Sequence, residues 1–279
     1  MTLLRDRADA GQGARSLRGL GPRGRGRGTI RQPWWTTAAS ILGGILLWQL
    51  AVSVLHPNPL AIVGPWATLT DAVQLAKDGT LGADVLTSLE EFFVGLAVAI
   101  ALGMLVGFCL GLSRRASAVF DPWVTVLYTV PVIAVAPLIV VALGLGTGSK
   151  IVIVAISAFF PIAINCQSGA RQVDGRLRDL CRAFGASRAE VFRFALLRGT
   201  APYLLTGIRL AIGRGLIGVV AGDLFGSTKG LGFLILSGQQ NLRTNDLYVG
   251  VVVLSAIGLI LTAVVGLLER RFLALGDGQ

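Results

Sequence analysis

Histidine, cysteine and charge are all scarce in this chain. Of its 279 residues only 14% are Asp, Glu, Lys or Arg, against 53% hydrophobic, and the mean hydropathy is +0.72. So little charge cannot clothe a soluble domain; the composition is that of a polytopic membrane protein. Cys109, Cys166 and Cys181 offer no pair at metal-ligand spacing, and an odd count sets no disulfide framework. They read as free thiols, the two in apolar stretches packing as small apolar groups. His56 is the only histidine and lies in a loop. Metal centres and nucleophile–base catalysis therefore lack their residues, so no enzyme, no metal and no cofactor is expected.

Two glycine-rich stretches imitate nucleotide loops and fail. Gly144 to Lys150 has Ser149 where a phosphate loop needs glycine, and Ile151 where it needs Ser or Thr. It reads as an external turn between spans. The tract GPRGRGRG follows no strand, so it is no dinucleotide fingerprint. Acids are also missing from the middle of every apolar stretch. Asp121 and Glu269 lie at stretch ends, and Glu90, Glu91 and Asp223 near one side. A stand-alone secondary transporter or channel, the alternative reading, would need coupling carboxylates at the centre.

What the chain does have is apolar length. Stretches at about 35–55, 86–112, 119–143, 149–167, 202–222 and 247–269 each approach the ~30 Å of a hydrocarbon core at about 1.5 Å per residue. The first has Trp34 and Trp35 at its interface and is too long for a cleaved signal. Six spans with both termini inside put nineteen of the 25 Lys and Arg on the cytoplasmic side and only Lys77, Lys150, Lys229 and Arg243 outside. Arg209 and Arg214 fall within the fifth span. The expected fold is thus an all-α membrane protein of six transmembrane helices in the cell membrane, both termini cytoplasmic.

Residues 1–33 carry eight arginines against two acids and read as a disordered basic cytoplasmic tail. Membrane lipid is its expected partner, and no nucleic acid is. Residues 34–279 form the membrane domain. Pro65 to Lys77 puts Trp66, Leu69, Val73 and Ala76 on one side at helical spacing and predicts a surface helix, closed by Gly79. GLGFLILSGQQ, after Lys229, is apolar but too short to span, as a re-entrant or interfacial piece is.

Inside the spans, Gly103, Gly107 and Gly111 repeat every four residues, as do Gly218 and Gly222, which predicts close helix packing. The third span holds Pro131 and Pro137 behind Tyr128 and Thr129. Each proline frees a carbonyl that protein or cavity water must satisfy, so this is either a helix lining a pathway or a kinked packing helix. Arg214, near mid-membrane, either gives positive potential to an anion path or makes a structural contact. Arg209 lies about 140° away around the helix, nearer the cytoplasmic end, and can snorkel.

The longest polar stretch between spans, 171–201, contains seven arginines, three acids and a central Gly185. It predicts a short helix, a Gly-Ala-Ser turn and a second helix between spans four and five. With no nucleotide site elsewhere in the chain, this is its port for energy from outside. Its run from Asp179 through Leu180, Cys181, Arg182, Ala183, Phe184, Gly185, Ala186, Ser187 and Arg188 resembles the Glu-Ala-Ala, three residues, Gly signature of the inner-membrane permeases of bacterial binding-protein-dependent ABC transporters. LGLSRRASAVFDPWV, TVPVIAVAPLIVVALGLGTGSK, FFPIAIN, TGIRLAIG and STKGLGFLI extend the resemblance over roughly 56–272, to the sulfonate, taurine and nitrate branch. Leu180 and Cys181 stand where the signature has alanines, and Arg198 where it has proline.

The resemblance implies an importer subunit for a small anionic solute such as a sulfonate, taurine, nitrate or bicarbonate. It implies a homodimer, a cytoplasmic ABC ATPase partner, and a periplasmic or lipid-anchored solute-binding protein. Carried onto this sequence, the ATPase contact centres on Ala183, Gly185 and Ala186, with Asp179, Arg182 and Arg188 around them. Tyr128, Thr129, Pro131 and Arg214 are the candidate translocation path.

Overall fold

In the computed structural model, which describes residues 34–225 and 227–276, the regular elements are all helical. The predicted tail at 1–33 lies outside the described residues. The chain divides into two units between Leu47 and Trp48. Within the first, residues 34–47 are the amino-terminal part of helix α1 (Trp34–Leu55), with Ile41, Leu42, Leu46 and Leu47 exposed. The second unit, Trp48–Gln279, holds the rest of α1 and the elements after it.

Three long helices make its core: α3 (Thr80–Leu112), α6 (Thr147–Gln172) and α9 (Leu197–Leu224). Hydrophobicity alone cannot hold helices together in lipid, because lipid is as apolar as leucine; close backbone contact must. The glycine ladder of α3 provides it. A Cβ added at Gly103 would fall 2.9 Å from Ile162, at Gly107 2.7 Å from the Ala163 carbonyl oxygen, and at Gly111 2.6 Å from Ala170. On the other side of α6, a Cβ at Gly218 would lie 2.7 Å from Ser157 Oγ. Phe92, Leu96, Val154, Ile162, Ile212 and Val219 fill the space between. Cys166 is buried here as predicted, whereas Cys109 is exposed on α3.

This packing makes a direct prediction. Gly107→Leu overfills the α3–α6 contact and costs about 1–3 kcal/mol, a fall on the order of 5 °C in the melting temperature in detergent. Gly82→Leu, at a position with nothing within 4 Å, leaves it unmoved.

The surface helix appears as α2 (Pro65–Lys77), with Pro65 in its first turn and Gly79 just beyond at φ +77. Gln49 of α1 accepts a hydrogen bond from the Trp66 amide at 3.3 Å. The short apolar segment is α10 (Leu231–Gln240), and α11 (Thr244–Gly276) follows it.

Among the described residues four helices are long and apolar enough to cross a membrane: α3, α6, the helix running Arg188–Leu224, and α11. The predicted third span is not one helix. It is α4 (Arg114–Thr129) and α5 (Val132–Leu143), bent by 96° with respect to each other. Proline disfavours the helical region for the residue before it. Val130 and Pro131 are accordingly both extended, and α5 restarts with the Ala134 amide bonded to the Pro131 carbonyl at 3.0 Å. Pro137 sits inside α5 without ending it. Counted as one broken span, the pair makes a fifth crossing.

Candidate functional site

Three places carry the candidate chemistry. The first is the polar interval. Asp174 caps α7 (Gly175–Ala183) by accepting from the Arg176 amide at 2.9 Å. The helix ends in a left-handed cap. Gly185, at φ +80, donates its amide to the Arg182 carbonyl at 2.9 Å, and Ala186 donates to Cys181 at 3.0 Å. Glycine is the residue that adopts this backbone without cost. Ser187 then opens the next helix in a reciprocal capping box with Glu190.

That second helix is not separate from the span, as the interval's polarity suggested. α8 (Arg188–Glu190) runs through a π-helical turn, Val191–Leu196, straight into α9. Pro202 lies within α9 and does not begin it. Val191 and Leu196 are buried, and the rings of Phe192 and Phe108 meet edge-on at 4.9 Å. The elbow is therefore seated on the end of α3. Asp179, Arg182, Ala183, Gly185 and Arg188 are brought together on its exposed surface, with Ala186 half-buried. Arg182 pairs loosely with Asp179 at 3.8 Å. Phe184, 84% exposed, stands in their midst. No atom lies within 4 Å of a Cβ added at Gly185, so within the chain it is φ, not crowding, that requires glycine.

The second place is a cavity of about 360 Å³ beside the α4–α5 bend. Val130, Val132, Ile139, Ile156 and Phe160 make its wall apolar, and Arg214 enters with its guanidinium 4.5 Å above the Tyr128 ring. Such stacking contributes about 0.5–2 kcal/mol and leaves the cation's edge free for an anion. No carboxylate pairs with Arg214 among the described residues. The sequence-predicted Tyr128 and Arg214 thus come together. Pro131 contributes by bending the chain, and Thr129 turns its hydroxyl to the Val126 carbonyl instead of the cavity. Arg209 is elsewhere, bonded to Glu269 at 2.5 Å.

The third place escaped sequence reasoning. Lys150, predicted in an external turn, lies in the first turn of α6 and is buried. Its Nζ is 2.8 Å from Glu91 Oε1, 2.8 Å from Asp223 Oδ1 and 2.6 Å from Ser227 Oγ. Isolated charges are prohibitive in such surroundings, so three elements converge to satisfy them.

Comparison with known proteins decides the class. Residues 99–274 match the model for the binding-protein-dependent transport system inner membrane component. The chain belongs to this family. It is a transport permease of the membrane, not a catalytic subunit. The taurine transport system permease protein TauC of Escherichia coli (strain K12) is 32% identical to the permease over 238 residues, 85% of this chain and 83% of that one. SsuC of Bacillus subtilis (strain 168), provisionally named an aliphatic sulfonates transport permease protein, is 30% identical over 229 residues, 82% of this chain and 83% of that one. The bicarbonate transport system permease protein CmpB of Synechococcus elongatus is 29% identical over 246 residues, 84% and 88%. Among solved structures, the MetNI methionine ABC transporter shares the fold at TM-score 0.58 and 21% identity, over 71% of this chain and 98% of that one.

Proposed function

We propose that this permease is one half of an ATP-driven importer for a small anionic solute, working as a homodimer of six-span subunits. α1, the α4–α5 pair and the four long helices supply the six crossings, and the distribution of Lys and Arg orients both termini to the cytoplasm. A cytoplasmic ABC ATPase seats on the α7–α8 elbow, and a solute-binding protein delivers from outside. The relatives' solutes, taurine, sulfonates and bicarbonate, all carry an anionic group. The observation that carries the reading is Arg214, a cation that has no carboxylate partner among the described residues and lines an apolar cavity.

The test is reconstitution. The permease, purified with the ATPase that accompanies it, is placed in liposomes with the binding protein and radiolabelled taurine, an alkyl sulfonate, nitrate or bicarbonate. Accumulation that needs both ATP and the binding protein is expected, for one of these anions and not for a cationic solute. Accumulation driven by an ion gradient without ATP refutes the reading.

A further inference from the structure

The cluster around Lys150 has no part in the chemistry above, yet it joins α3, α6, α9 and the start of α10. Asp223 closes the far end of α9 and uses its two oxygens for different partners. Oδ1 faces Lys150 of α6, and Oδ2 accepts from the Gly232 amide of α10 at 3.0 Å. Two neighbouring amides, of the cap residue Gly230 and of Leu231 at the start of α10, are also held by the core. Gly230 N donates to Asp84 at 2.8 Å, and Leu231 N donates to Ser88 Oγ at 2.8 Å, both acceptors on α3. The fit has no slack: a Cβ at Gly230 would lie 2.6 Å from Asp223 Oδ2, and one at Gly232 2.6 Å from Asp223 Cβ.

The charges need an explanation. One ammonium serves two buried carboxylates, and Glu91 Oε2 has no hydrogen-bond partner among the described residues. The positive end of α10 points into this surplus of negative charge, which ties that helix end to the cluster electrostatically as well as by hydrogen bonds. Buried ion pairs are poor sources of stability and better understood as fixing one arrangement of parts. Here the parts are α3, α6, the end of α9 and the start of α10. From Arg188 to Leu224 the backbone is one helix of 37 residues, about 55 Å long, with the elbow at one end and Asp223 at the other. Along its length α10 also packs on α11, where Gly250 abuts Ile235 and the Leu231 carbonyl and Gly238 abuts the Leu247 amide.

We propose that the Lys150–Glu91–Asp223 cluster is the joint that makes α10 travel with α9, so that movement of the elbow opens or closes the outer mouth. Lys150 is a positioning residue: it touches no solute and acts through Asp223. This rests on the ATP-driven reading and on the orientation proposed above.

Two measurements on the complete importer test it. In Lys150→Met, ATP hydrolysis stays above half of wild type while solute imported per ATP falls at least tenfold; Lys150→Arg restores most of the ratio. Spin labels at the exposed Ile217 of α9 and Gln239 of α10 keep one separation in nucleotide-free and ATP-bound wild type. A changed separation overturns the joint, and so does Lys150→Met with an unaltered ratio or with hydrolysis and uptake lost in proportion to protein. If Lys150→Met does not reach the membrane, the wild-type label pair decides. Wild-type uptake that ignores ATP would instead sink the underlying reading.

Discussion

Gly185→Trp brings ATP-driven uptake below a tenth of wild type while the chain still enters the membrane. Two separate effects combine. A residue with a side chain at φ +80 costs about 1–2 kcal/mol, which loosens the two cap bonds from Gly185 and Ala186 that set the angle between α7 and the long helix. The indole also has no internal clash to relieve, since the space around Gly185 is open. It projects outward among Phe184, Arg182 and Arg188, onto the face proposed for the ATPase. A graded series separates these effects. Gly185→Asn tolerates the left-handed backbone and stays near wild type, Gly185→Ala loses part of the uptake, and only Trp also loses ATPase co-purification. Membrane content, uptake and co-purified ATPase are measured side by side. Retention of uptake and co-purification by the Trp variant refutes the assignment of the elbow.

Features written in local spacing were legible before the structure. Gly103, Gly107 and Gly111 announce a helix contact because a four-residue period lies on one face whatever the partner. Pro65 and Gly79 bracket α2 because each acts on its own backbone. Arg182, Gly185 and Ser187 lie within one turn of chain, so their assembly into an elbow needed no distant information. What needs a distant partner was not legible. Lys150 is 59 residues from Glu91 and 77 from Ser227, and the Gly144–Ser149 run before it reads as an ordinary turn. The only signal available was two acids and a lysine near the same side of their stretches.

The bend at Pro131 is a different case. Pro131 and Pro137 both disrupt a helix, and which one breaks it depends on where freed backbone groups find partners. The continuity of α8 with α9 was hidden for a third reason. Arginines at 193 and 198 make the segment polar, but polarity marks the water boundary and not the end of a helix.

The two arginines of α9 look alike in sequence and should fail in opposite ways. Arg214→Leu removes a guanidinium that has no ion-pair partner among the described residues and is stacked on one face by Tyr128. The stability change is therefore the stacking alone, about 0.5–2 kcal/mol. Uptake of the anionic solute falls at least tenfold, through a raised KM, because an apolar cavity without its cation has nothing to offset the loss of the anion's hydration. Arg214→Lys retains the charge but not the flat fork that can stack and bind at once, and recovers only part of the loss. Arg209→Leu leaves Glu269 without its 2.5 Å partner at the other side of the helix. Its signature is a lowered melting temperature and less protein in the membrane, with the KM of what remains unchanged. Binding-protein-dependent uptake over a range of solute concentrations, beside thermal unfolding of each variant, distinguishes the pair. An Arg214→Leu permease with wild-type KM for every anion would leave that residue a packing element and move the selectivity of this importer to its binding protein.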